Sequence, residues 1–118
     1  MYYVGIDIAK YKHDCFIFTS EGETVLESFT FENTREEFNK LKLVLDALNY
    51  SQKIKIGLEA TGIYRKNLKL FLSSIEYDFD ELNPLQVKRF TNAMSNRKNK
   101  TDKIDASQIA RFVSTGAS

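Results

Sequence analysis

Apolar residues in this chain recur at two periods, and the order of those periods leaves few folds open. Val4, Ile6 and Ile8 alternate within Tyr2 to Ala9, and a second β-rich run covers Asp14 to Thr19. Ser20-Glu21-Gly22-Glu23 reads as a hairpin turn into a third strand, Thr24 to Phe31. The period then changes. Thr34-x-x-Glu37 is a capping-box signature, and the apolar stripe Phe38, Leu41, Val44, Leu45, Leu48 predicts a helix ending near Asn49. Alternation returns at Ile54, Ile56 and Leu58, a fourth strand over Lys53 to Glu59. A second helix follows Thr61-Gly62, with Ile63, Tyr64, Leu68, Phe71, Leu72 and Ile75 as its apolar face, then a weaker fifth strand, Tyr77 to Leu82. Asn83-Pro84 supplies a cap and a first-turn proline for a third helix reaching about Met94. Ser95 to Lys100 reads as a polar loop, and Thr101 as the cap of a last helix carrying Ile104, Ile109, Phe112 and Val113. The order β-β-β-α-β-α-β-α-α implies a mixed five-stranded sheet with helices on its faces.

A chain of 118 residues is one domain, and 42% hydrophobic residues suffice for a core. Cys15 is the single cysteine, so no internal disulfide forms and a cytoplasmic setting is expected. It reads as a buried strand residue. With His13 the single histidine, a structural zinc site has too few ligands. No run has the length of a membrane span, and the N-terminus lacks the layout of a signal peptide.

Most of the 16 acidic residues need no explanation beyond a solvated surface. Asp7 differs, because it interrupts an apolar strand, where an unpaired acid is costly. Glu59 ends another such run. Asp102 and Asp105 lie three positions apart, which on a helix places them on one face about 5–6 Å apart at Cβ. Each has a plainer reading: strand-terminal Glu is common, Asp102 beside Thr101 suits a cap, and Asp105 suits an ion pair with Lys103 or Arg111. Taken together, carboxylates from separate elements repel one another unless a divalent cation absorbs their charge. Mg²⁺ sites built from carboxylates, water and substrate phosphate do so while supporting displacement at phosphorus.

Net charge is only +1, but six basic residues fall between Lys88 and Lys103 (Lys88, Arg89, Arg97, Lys98, Lys100, Lys103) against one acid, Asp102. With Lys10, that run is a candidate track for a nucleic-acid backbone, or else a solvated surface.

These segments resemble a known family. An Asp in the first strand and a Glu ending the fourth, in this element order, resemble the ribonuclease H-like fold, where those two strands are parallel neighbours. More narrowly, Gly5-Ile6-Asp7-Ile8-Ala9-Lys10, Leu58-Glu59-Ala60-Thr61-Gly62-Ile63-Tyr64, Asn83-Pro84 with Val87-Lys88-Arg89-Phe90, and Lys100-Thr101-Asp102-Lys103-Ile104-Asp105-Ala106 resemble the DEDD transposases of bacterial insertion sequences of the 110 family, relatives of the Piv invertase. The resemblance implies a RuvC-like catalytic domain in which Asp7, Glu59, Asp102 and Asp105 bind Mg²⁺, with Mn²⁺ as substitute, at a DNA phosphate. It also implies a homo-oligomer, an element-encoded structured RNA as partner, and a further C-terminal transposase domain, expected to lie outside residues 1–118. Two other readings stand beside it. An actin-like ATPase or sugar kinase would need a glycine-rich phosphate loop after the first acid, where Ile8-Ala9-Lys10-Tyr11-Lys12 offers none. A noncatalytic nucleic-acid-binding module would gain nothing from acids facing phosphates.

Overall fold

In the computed structural model, which describes residues 1–60, 64–94 and 105–116, the elements follow the expected order. They are β1 (Tyr2–Ile8), β2 (Lys12–Thr19), β3 (Thr24–Glu32), α1 (Arg35–Asn49), β4 (Ile54–Ala60), α2 (Arg65–Ser74), β5 (Asp80–Glu81), α3 (Pro84–Met94) and α4 (Ala106–Ser114). The sheet order is β3-β2-β1-β4-β5, with β1 antiparallel to β2 and parallel to β4. Gly22, at φ +87°, turns β2 into β3, and its N–H donates to the Thr19 carbonyl. Thr34 caps α1 by accepting from Glu37 N–H. The reciprocal half of that box is redirected: the Glu37 carboxylate accepts from Glu32 N–H and pairs with Lys40.

Two expectations are corrected. The fifth strand shrinks to Asp80–Glu81, because Glu76 adopts a left-handed φ of 64° just after α2 and the segment meets β4 only there. The last helix, in its described part, begins at Ala106. Asp105 is its cap, in extended conformation, and forms a reciprocal box with Gln108. A helix running unbroken from Thr101 through Asp105 is incompatible with that backbone. Thr101 and the Ser95–Lys100 stretch lie outside the described residues.

Alternation along the strands divides the apolar residues between two layers. Val4, Ile6, Ile8, Cys15, Ile17, Ile56 and Leu58 join Phe38, Leu41 and Leu45 of α1 and Leu68, Phe71 and Leu72 of α2 in the larger core. Cys15 is fully buried, and burial pushes its thiol well above the ordinary range. The opposite face receives α4, which buries Ile109, Phe112 and Val113 with Leu82 and Val87, and Ala106 and Ala110 with Phe16 and Phe18.

That second layer depends on two glycines standing opposite each other, Gly5 on β1 and Gly57 on β4. A Cβ on Gly5 would lie 2.3 Å from the Ala106 carbonyl oxygen and 2.3 Å from Ala110 N. One on Gly57 would lie 2.2 Å from Val113 Cγ2. The obstacles differ in kind: helix backbone above Gly5, a side-chain tip above Gly57. Gly5→Ala and Gly57→Ala should each lose about 1–3 kcal/mol or more in urea unfolding. Adding Val113→Ala should recover part of the Gly57→Ala loss and none of the Gly5→Ala loss. Equal rescue of both would contradict this packing.

Candidate active site

Beyond the glycine pair, the same face of the sheet turns acidic. Asp7 is two residues past Gly5 on β1 and stands directly opposite Glu59 on β4 in parallel register. Side chains so paired share a face of the sheet, on strands about 4.7–4.9 Å apart. Asp7 is half-buried. Glu59 is only 7% exposed, and no hydrogen bond or ion pair holds its carboxylate among the described residues. Burial alone pushes its pKa above the ordinary carboxylate value.

Asp105 stands elsewhere. Its Oδ1 accepts from Gln108 N–H at 3.0 Å and from Ser107 Oγ at 2.6 Å, so capping occupies that oxygen. Among the described residues no three His, Cys, Asp or Glu side chains converge closely enough to enclose a metal ion. The expected meeting of Asp105 with Asp7 and Glu59 is therefore not formed, and Asp102 lies outside the described residues. Capping accounts for one oxygen of Asp105: Oδ1 takes both bonds at the first turn of α4.

The loop after Asp7 is pinned by a residue that sequence reading passed over. His13 is fully buried, edge-on to Phe31 and stacked on Phe38. Its Nδ1 accepts from Ala9 N–H at 3.3 Å, which leaves the ring proton on Nε2, 3.3 Å from Asn33 Oδ1. Burial lowers its pKa, against smaller opposing effects of Asn33 and Asp14, so the neutral ring is favoured. The available signal was a polar residue at an apolar position of a strand. Past that anchor, Lys10 is exposed with its Nζ 5.1 Å from the Tyr11 ring centre. Lys88 is half-buried and Arg89 exposed on α3, while Arg97, Lys98, Lys100 and Lys103 lie outside the described residues.

The donor set suits a hard divalent cation. Asp7 and Glu59 offer carboxylate oxygens, and Mg²⁺ binds through one or two carboxylates completed by water and phosphate. The soft alternatives are spoken for, His13 by its two hydrogen bonds and Cys15 by burial.

The family model of the DEDD transposases of the insertion sequence 110 type, described as "Transposase", matches residues 4–117. The chain belongs to that family. It is a transposase domain, of a class that acts on DNA with divalent metal. The fold comparison agrees. Thermus thermophilus RuvC in complex with a Holliday junction substrate superimposes with a TM-score of 0.57 at 14% identity, over 93% of this chain and 90% of that one. A second Thermus thermophilus RuvC structure gives 0.56 at 14% identity, over 97% and 91%. These likenesses establish the RuvC-like, ribonuclease H-like fold of this transposase domain. No curated protein sequence matches it. No helix among the described residues is long and apolar enough to cross a membrane.

Glu59 sets a pH dependence in the metal-free domain. Its folded pKa is raised, so the stability it permits is full below the ordinary carboxylate range and is lost as pH rises through the folded value. Glu59→Gln should flatten that part of the curve of melting temperature against pH. An unchanged slope in the variant would show that another group governs it.

Proposed function

We propose that Asp7 and Glu59 form the core of the metal site of this transposase domain, with Asp105 and Asp102 completing it when cation and DNA are bound. The observation that carries the reading is the pairing of Asp7, on adjacent parallel strands, with a buried Glu59 that has no partner among the described residues. Burial makes Glu59 costly to ionise, and a cation bound between it and Asp7 would repay that cost. The cation we assign is Mg²⁺, with Mn²⁺ as substitute, and it would supply charge stabilisation and nucleophile activation at a DNA phosphate. The protein's part is to hold the two carboxylates on stiff strands, on the face that carries α4, and to keep Glu59 away from bulk water.

Lys10, Lys88 and Arg89, with Arg97, Lys98, Lys100 and Lys103, are the cationic residues assigned to a DNA backbone. Such contacts position the backbone and carry little sequence information. Affinity for DNA should therefore fall steeply as salt rises. A homo-oligomer and an element-encoded RNA partner complete the proposal by kinship with the family, and a cytoplasmic location by the single cysteine. A noncatalytic binding module on the same fold makes the opposite forecast for metal: no response to Mg²⁺ or Mn²⁺.

Millimolar Mg²⁺ or Mn²⁺ should raise the melting temperature, by the equivalent of about 2.7 kcal/mol at a hundred times Kd. Asp7→Asn should lose that response, since it removes one of the two carboxylates assigned to the cation. On supercoiled plasmid with Mg²⁺, any nicking by the chain should disappear in Asp7→Asn, and joined recombination products should be absent. Equal metal shifts in wild type and Asp7→Asn would move the site elsewhere.

A further inference from the structure

Asp14 belongs to neither the sequence motifs nor the set of acids assigned above, yet it stands level with them. Asp7 faces Asp14 across the antiparallel β1–β2 ladder and Glu59 across the parallel β1–β4 ladder. The three carboxylates thus form one row over three adjacent strands, on the face that carries α4. The row continues to Thr30 on β3, whose Oγ1 donates to Asp14 Oδ1 at 2.8 Å. At the far end lies Glu59, more than nine-tenths buried and without a hydrogen-bonding or ionic partner among the described residues. Asp14 also lines an open cavity of about 570 Å³ shared with Asp105, Glu27 and Arg111. It is therefore the one acid that both stands in the row with Asp7 and Glu59 and borders the space beside Asp105.

We propose that Asp14 is a positioning residue of the cation site, acting on the ion through its bound water. The inference rests on the reading that Asp7 and Glu59 hold the cation. Direct ligation by all three is not the arrangement in hand, since no three such side chains among the described residues enclose an ion. Magnesium dehydrates reluctantly and keeps several waters, each a hydrogen-bond donor in need of an acceptor. A carboxylate fixed by Thr30 beside an open cavity is such an acceptor, and its charge adds to the pull of the pair. The ligand class is a hydrated divalent cation.

Isothermal titration of the chain with Mn²⁺, with folding checked by far-UV circular dichroism, tests this on Asp14→Asn, Thr30→Val and Asp7→Asn. Asp14→Asn should weaken Mn²⁺ binding by about tenfold, the lower end for outer-shell partners of a metal site. Thr30→Val, which removes only the anchoring hydroxyl, should weaken it much less. If Asp14→Asn loses its folded spectrum, Asp14→Ser replaces it, keeping an acceptor for Thr30 without the charge. Equal losses in Asp14→Asn and Thr30→Val would reduce Asp14 to a structural partner of Thr30 and overturn the proposal. Wild-type affinity in Asp14→Asn with binding lost in Asp7→Asn would overturn it too, leaving the Asp7–Glu59 site intact. Wild-type affinity in Asp7→Asn as well would remove the underlying site.

Discussion

The seating of α4 directly on the glycine pair is the contact from which the rest of this domain follows. With an ordinary side chain at Gly5 the helix would have to stand off from the sheet, because its own backbone occupies the space a Cβ would take, while at Gly57 the tip of Val113 fills that space. At the observed separation, Ala106, Ala110 and Val113 close over β1, β2 and β4, and the small layer they share with Leu82, Val87 and Phe112 becomes solvent-excluding. Two residues farther along the same strands come Asp7 and Glu59. The chain thus changes, within one strand repeat, from a surface that must be covered to one that must bind charge.

The opposite face does different work. There His13 is a buried polar residue amid apolar ones, and it is satisfied at both ring nitrogens. Its hydrogen bond to Ala9 ties the end of β1 to the start of β2, so the residues following Asp7 are held from below by a buried aromatic cluster of Phe31 and Phe38. One face fixes the geometry and the other uses it. This division lets the acid-bearing surface tolerate like charges at close range, because the stability of the sheet is secured mostly by the layer that α1 and α2 cover.

Much of this was legible in the residues. The switch from period two to period 3.6 gave the element order, and an acid inside the apolar run of β1 marked Asp7. The partnership of Asp7 with Glu59 came from resemblance to a fold and was met in the register. What escaped depends on facts that periodicity does not carry. Asp14 lies in a polar stretch, and only the register of the β1–β2 ladder shows that it faces Asp7. Asp105 fitted a helical face by spacing, yet Gln108 three residues on makes it a better cap than a helical residue. The fifth strand was overlong because Tyr77 and Phe79 look like strand residues, whereas they pack against the larger core as half-buried side chains of a connection.

Cys15 has a consequence outside the chemistry of the site. Its thiol is sealed in the core and held protonated by that burial, so it presents no nucleophile to solvent-borne reagents while the fold persists. As the single sulfhydryl of the chain, it leaves a silent background. A cysteine introduced at an exposed position such as Leu43 or Tyr50, both on or beside the solvent side of α1, could be labelled alone with a maleimide dye or nitroxide. The natural cysteine would then become a clock for global opening, since its modification must wait for the core to come apart.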